Sequence, residues 1–335
     1  MEDLKLSFFN ELPKGFLEVS IEQLLEVVPG PTIIHLGRES KEQPLFISIL
    51  LHGNEHSSFY AIQEVLREPL KRPLIIFIGN PKAAKENVRH LPDQLDFNRV
   101  WQGGSHPQAL IAKEVIDYAI TYKPLLSIDI HNNSGKNPFY SCINSTDEKF
   151  VSLARHFSPF IVFFTKPDEV QSMAFSKICP AVTLEAGTSG EASGIRQLVE
   201  KIKDVLCWNE IPHLKEQATI FHTVARFRIP SKVRYTFSDQ NKNAFDLCLR
   251  GDLEDFNFKS IKEGFMLGHI NRKESFWLEG EDGTDILSRY FKIENKQLIT
   301  HKAFVPAMLT KNRGNIEIDC LGYLMEPWLK IEAFS

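Results

Sequence analysis

The segment His52-Gly53-Asn54-Glu55 closes the apolar run Leu45-Phe46-Ile47-Ser48-Ile49-Leu50-Leu51. It sets two side chains of metal-ligand type at the mouth of an expected buried strand. A second run, Leu125-Leu126-Ser127-Ile128-Asp129-Ile130, ends in His131, and a third, Ala181-Val182-Thr183-Leu184, ends in Glu185. Two histidines and two glutamates, each where a strand stops, are the parts of a hydrolytic zinc site. Three residues hold the metal, one coordination position stays open for water, and one carboxylate activates that water.

Spacing constrains how these groups meet. Along a strand side chains alternate faces, so residues three apart point opposite ways. His52 and Glu55 can share one metal only if the chain turns between them, and Gly53 and Asn54 are residues that tolerate a turn. The stretch from Ser57 to Leu66 then carries apolar residues at helical spacing. Strand, tight turn with ligands, helix is the local picture, and ligands in open α/β sheets bind outside the carboxyl ends of the strands. The same segment extended to His56 also matches H-x-x-E-H, which would place His52 and His56 as zinc ligands on one helix with Glu55 as base. Gly53 and Asn54 are poor helix residues, and that reading leaves His131 and Glu185 without a role. His56 is therefore expected beside the site and not on the metal.

The positioning elements follow from periodicity. Strands are expected at Thr32–Leu36, Leu45–Leu51, Leu74–Ile78, Leu125–Ile130, Phe160–Phe164 and Ala181–Leu184, and helices at Ser57–Leu66, Gln108–Tyr122, Glu148–Phe157 and Gly194–Trp208. Several of the strands are continuous apolar runs, which suits a sheet covered by helices on both faces. After Ile211-Pro212 the texture becomes short and β-rich, as in Ala218–Ile229, Phe276–Leu278 and Ile299–Met308, with turn signals at Glu281-Asp282-Gly283 and Asn312-Arg313-Gly314. The expected class is α/β, a mixed central sheet with helices on both faces over residues 1–212. A smaller β-rich domain is expected over 213–335.

Composition bounds the partners. The chain has 335 residues, 43% hydrophobic and 24% charged, enough for a large core. A net charge of −4 without a dense basic cluster argues against nucleic acid as a partner. No apolar stretch is long enough to span a bilayer, and the start of the chain lacks a secretory pattern. The five cysteines are scattered without a Cys-x-x-Cys pair, as suits reduced thiols and a cytoplasmic setting. Self-association is compatible with this composition.

Taken as a set, several motifs resemble the zinc carboxypeptidase-like hydrolases, and within them the succinylglutamate desuccinylase/aspartoacylase branch. They are His52-Gly53-Asn54-Glu55, Asn80-Pro81, Arg89, Asp96-Phe97-Asn98-Arg99, Asp129-Ile130-His131-Asn132 and Thr183-Leu184-Glu185-Ala186-Gly187. The stretch from Ile261 to Leu267 resembles the small β domain of that branch more faintly. The resemblance implies one zinc ion per chain held by His52, Glu55 and His131. It implies Glu185 as general base and later proton donor to the leaving amine, and Arg89 as the group that polarises the scissile carbonyl. It implies Asn98 and Arg99 as the clamp on a substrate carboxylate.

Physical chemistry suits these roles. A guanidinium offers a rigid fork that meets a carboxylate bidentately, and a cation aimed at a developing oxyanion is worth several kcal/mol in a dry site. Asp129, two residues before His131, points to the same side of the strand. It could accept a hydrogen bond from a ligand imidazole, or serve an ordinary structural role. The expected activity is hydrolysis of an amide in a small molecule or short peptide with a free carboxylate, foremost an N-acyl amino acid. The alternatives are a metallocarboxypeptidase acting on peptides, or a non-catalytic binder of small acids on the same fold. The two enzyme readings turn on whether the C-terminal part covers the cleft.

Overall fold

A computed structural model describes residues 4–133, 135–213 and 218–331. Seventeen strands and eight α-helices are found among them. The first half contains β1 (Ser7–Phe9), β2 (Thr32–Leu36), β3 (Leu45–Ile49), α1 (Ser57–Val65), β4 (Leu74–Ile78), α2 (Pro81–Lys85) and α3 (Pro107–Tyr122). There follow β5 (Leu126–His131), β6 (Tyr140–Ile143), α4 (Glu148–Phe157), β7 (Phe160–Phe163), α5 (Gln171–Phe175), β8 (Ala181–Glu185) and α6 (Ala192–Val205). The remainder comprises β9 (Ala218–Arg228), β10 (Tyr235–Phe237), β11 (Leu247–Leu249), β12 (Met266–Ile270), β13 (Trp277–Gly280), α7 (Leu287–Tyr290), β14 (Phe291–Glu294), β15 (Gln297–Thr300), β16 (Val305–Ala307), α8 (Arg313–Ile318) and β17 (Gly322–Ile331).

The main sheet runs β1-β2-β4-β3-β5-β8-β6-β7-β9-β17-β16, with β13 also paired to β9. Its centre, β4-β3-β5-β8, is parallel, and β2, β6 and β17 run antiparallel to β4, β8 and β9 respectively. The fold is the expected mixed α/β sheet. Every residue of β3, β4, β5 and β8 is buried, as the uninterrupted apolar runs require when both faces are covered. The largest apolar cluster joins these strands to helices that include α1, α3, α4 and α6. After residue 212 the chain contributes to two sheets: β9, β13, β16 and β17 extend the main one, while β10-β11-β12-β15-β14 form a second. The stretch Ile299–Met308, expected to be one β segment, is thus divided between β15 and β16 in different sheets.

Local chemistry fixes the elements that flank the site. Asn80 caps α2 by accepting the backbone N–H of Ala83, with Pro81 at the first helical position. Helix α3 starts on Pro107 and stops where Lys123 adopts φ 46°, a left-handed end. β3 stops at Ile49, two residues before the expected Leu51, because Leu50 takes φ 53° and turns the chain out of the sheet. No helix among the described residues is long and apolar enough to cross a membrane.

Candidate active site

The loop after β3 and the end of β5 lie on neighbouring parallel strands, so His52, Glu55 and His131 arrive together at one edge. His52 Nδ1 is 2.8 Å from Glu55 Oε1, and His131 Nδ1 is 2.7 Å from Glu55 Oε2. The two Nδ1 atoms are 3.1 Å apart, and all three residues are buried. Ligand atoms around one tetrahedral zinc sit about 3.4 Å from each other, given bonds near 2.0–2.1 Å. The trio is slightly tighter than that, and its two nitrogens and carboxylate are a donor set that zinc accepts.

The chain turns at Gly53-Asn54 as expected, with the Glu55 N–H donating to the carbonyl of His52 at 3.3 Å, but Gly53 is not the residue of positive φ. The left-handed residue is Leu50. Gly53 is required by close approach instead. A Cβ there would lie 2.2 Å from the carbonyl carbon of Ala83 and 2.4 Å from the nitrogen of Ala84, so α2 presses directly on the ligand loop. His56 stands at the start of α1, outside the trio, with Nε2 2.7 Å from the carbonyl of Gly53. Residues 52–56 form no helix, so the H-x-x-E-H geometry is not present.

Both imidazoles turn Nδ1 inward and anchor Nε2 on a carboxylate. His52 Nε2 meets Asp96 Oδ1 at 3.0 Å, and His131 Nε2 meets Asp129 Oδ2 at 2.9 Å. A carboxylate at Nε2 fixes ring orientation and favours the proton there, which would leave Nδ1 to meet a metal. Of the two readings of Asp129, the structure takes the hydrogen-bonding one. Each carboxylate is itself held. Ser48 donates to Asp129 Oδ1 at 2.8 Å. Arg89 donates to Asp96 Oδ2 through Nε at 2.9 Å, with Nη2 at 2.8 Å, and the backbone N–H of Asn98 donates to Oδ1 at 2.8 Å. Burial would raise the Asp96 carboxyl, but His52 and Arg89 outweigh it and hold it well below the usual range. Burial likewise opposes ionisation of Glu55, and the two imidazoles overcome it. Burial disfavours a charged His131, yet Asp129 and Glu55 bring its affinity for a proton well above the ordinary value.

Glu185 pairs in register with His131 across β5 and β8, and with Tyr140 across β6. Both side chains line the same cleft as the trio. Glu185 is buried, and its Oε2 has no hydrogen-bond partner among the described residues. Burial, reinforced by Glu55 and Asp129 and opposed by His131 and Arg89, pushes this carboxyl up to about 8.

Asn98 and Arg99 lie on a single 3-10 turn, residues 97–99, capped by Asp96. Asn98 Oδ1 accepts the backbone N–H of Gln171 at 2.9 Å, which turns its Nδ2 toward His131. Arg99 donates through Nη1 to the carbonyl of Asn98 at 2.9 Å, and its Nη2 lies 3.4 Å from Asp319 Oδ2. All seven expected site residues therefore line one cleft of about 400 Å³. Sequence reasoning gave no role to Asp96, though it belongs to the quoted Asp-Phe-Asn-Arg quartet. It likewise gave no role to Asn132 of the quoted Asp-Ile-His-Asn quartet, which ties the end of β5 to Glu55 through its backbone N–H, to Ser57 and to Gly187. It also gave no functional role to Asn312, read only as a turn signal, or to Asp319 and Tyr323, which carry no local pattern; all three line the cleft from the C-terminal part.

No family model and no curated protein sequence matches the chain. Solved structures do. The succinylglutamate desuccinylase from Chromobacterium violaceum superimposes with a TM-score of 0.59 at 14% identity, over 89% of each chain. Murine aminoacylase 3 gives 0.58 at 13% identity, over 88% of this chain and 99% of its own. A succinylglutamate desuccinylase/aspartoacylase from Rhodobacter sphaeroides gives 0.54 at 14%, over 86% and 87%. The chain has the fold of these proteins, as the motif set led us to expect.

Proposed function

We propose that this protein is a zinc-dependent amide hydrolase that removes the acyl group from an N-acyl amino acid. The observation that carries the reading is Glu185: a buried carboxyl with an unpartnered oxygen, set by strand register beside His131 in the same cleft as the His-Glu-His trio. A binding protein has no need of such a group, and burying it uncompensated is costly.

His52, Glu55 and His131 would hold the metal, which supplies a Lewis acid and brings the pKa of coordinated water to about 7. Glu185 takes the proton of the attacking water and delivers it to the departing nitrogen. Arg89, anchored on Asp96 through Nε and Nη2, keeps Nη1 to meet the carbonyl oxygen as charge develops. Asn98 and Arg99 face the substrate carboxylate.

A small substrate is favoured over a peptide because residues from the C-terminal part, including Met308, Asn312, Asp319 and Tyr323, wall the cleft. The test combines metal analysis with a screen of N-acyl amino acids and short peptides, repeated on Glu185→Gln. The amide variant should keep its metal and lose a factor of about 10²–10⁴ in turnover, the usual contribution of a general base. Undiminished turnover by the variant would remove Glu185 from the mechanism, and peptides as the better substrates would favour the carboxypeptidase.

A further inference from the structure

Beyond Glu185 the lining of the cleft continues onto β8, β6 and β7 of the main sheet. Cys142 sits between Thr183 of β8 and Val162 of β7, paired in register with both. These three, with Phe164 and Met308, line the cleft. Cys142 and Val162 belong to a small apolar cluster continuous with Tyr140 and Ala307, against which Phe164 and Met308 pack.

The cations around this floor are committed elsewhere. Among the described lining residues they are Arg89, Arg99 and Lys166, apart from the two histidines of the trio. Arg89 is paired with Asp96, and Arg99 serves the clamp and contacts Asp319. Lys166 has a half-exposed side chain paired with Asp168 at 2.8 Å. An acidic group on the floor would lie against a thiol, a valine and Glu185 with no guanidinium to meet it, an unfavourable burial.

We propose that this floor takes the side chain of the amino acid released by the reaction, and that this side chain is uncharged and apolar, not a second carboxylate. The inference rests on the deacylase reading: the carboxylate clamp and the proton donor both address the amine half of the substrate, so the surface next to Glu185 receives what that half carries. Apolar burial on this scale favours a leucine- or methionine-sized side chain over a carboxylate by about tenfold to a hundredfold in affinity.

The experiment is calorimetric titration of zinc-loaded Glu185→Gln with N-acetyl-L-leucine, -methionine and -phenylalanine, against N-acetyl-L-aspartate and -glutamate. A third series keeps glycine and lengthens the acyl group. The neutral side chains should bind at least tenfold more tightly than the acidic ones, and acyl length should matter less than side-chain size. The ratio of kcat/KM for the first two series on the wild type is the second readout and needs no variant. Thr183→Val, which adds a methyl to the floor at constant volume, should widen the preference two- to threefold. Acidic ligands binding as tightly as neutral ones, or affinity following the acyl chain, overturns the inference and leaves the deacylase intact. Neither binding nor turnover in any series overturns both.

Discussion

Asp96→Asn tests whether the histidines proposed as metal ligands depend on their outer partners. Asp96 accepts on both oxygens: Oδ1 from His52 Nε2 and the Asn98 N–H, Oδ2 from Arg89. Asparagine preserves the shape but replaces one acceptor with a donor. If the amide oxygen stays toward His52, the new NH₂ faces the Arg89 guanidinium, donor against donor, and a largely buried cation loses its partner. If the amide flips, the NH₂ faces His52 Nε2, which must then accept. The proton moves to Nδ1, and the nitrogen aimed at the metal can no longer ligate it. Loss of such an outer partner typically costs 10–100-fold in metal affinity, about 1.4–2.8 kcal/mol. The metal-free protein should also lose about 1–3 kcal/mol, less than a fully buried pair would cost because Arg89 retains some solvent contact. Competition with a chromophoric chelator reads the first quantity and urea unfolding of the metal-free protein the second. Arg89→Gln combined with Asp96→Asn should restore part of the stability, since a neutral partner no longer needs the anion, while leaving metal affinity low. An Asp96→Asn protein with unchanged zinc affinity would refute the argument that Asp96 sets the His52 tautomer.

Other expectations are simpler. His131→Ala should largely abolish metal binding, whereas His56→Ala should keep it and lose about 1 kcal/mol with the Gly53 hydrogen bond; metal content after dialysis separates the two, and the reverse result would reinstate the helical H-x-x-E-H site. Arg99→Lys keeps the charge but not the fork, so KM for free-acid substrates should rise about tenfold with metal content unchanged, and amidated substrates should not respond. His35 is buried beneath Tyr118 and Tyr122, and burial, aided by Arg38, lowers it from 6.5 to about 4. The unfolded chain therefore binds the proton first. The stability this histidine contributes is complete above about pH 6.5 and is lost as pH falls toward 4. Between pH 7 and 5 the wild type should lose about 1–2 kcal/mol more than His35→Gln, a figure discounted for residual solvent; equal losses in urea midpoints would show that His35 does not titrate in this way.

What the sequence reveals here depends on how local the determinant is. The runs Thr32–Leu36, Leu74–Ile78 and Ala181–Glu185 are legible because strands buried on both faces are mostly apolar and lack regular alternation. The candidate ligands His52 and His131 are legible for the same reason, since each directly follows such a run. Side-chain parity puts Asp129 on the same side as His131 but leaves open a structural role, which the 2.9 Å contact decides. Asp96 lies 44 positions from His52 in sequence, and Asp319 lies 220 from Arg99, separations over which no periodicity speaks. β6, four residues inserted between β8 and β7, is too short to announce itself, and with it goes the floor of the cleft.

Gly53 shows how a correct expectation can rest on the wrong cause. Glycine between two candidate metal ligands suggests a turn that needs freedom in φ, yet the positive φ near this loop belongs to Leu50. What excludes a side chain at residue 53 is the backbone of Ala83 and Ala84, brought there by the Asn80 cap and Pro81. The ligand loop is thus wedged between β3 and α2, and the backbone N–H of Gly53 donates to the carbonyl of Arg89 at 3.0 Å. Arg89 in turn holds Asp96, and Asp96 holds His52. The loop proposed to ligate the metal, the arginine proposed for the carbonyl and the carboxylate that orients the imidazole form one closed circuit of contacts. A close approach at a single glycine therefore bears on ligand geometry as directly as any residue that touches the metal.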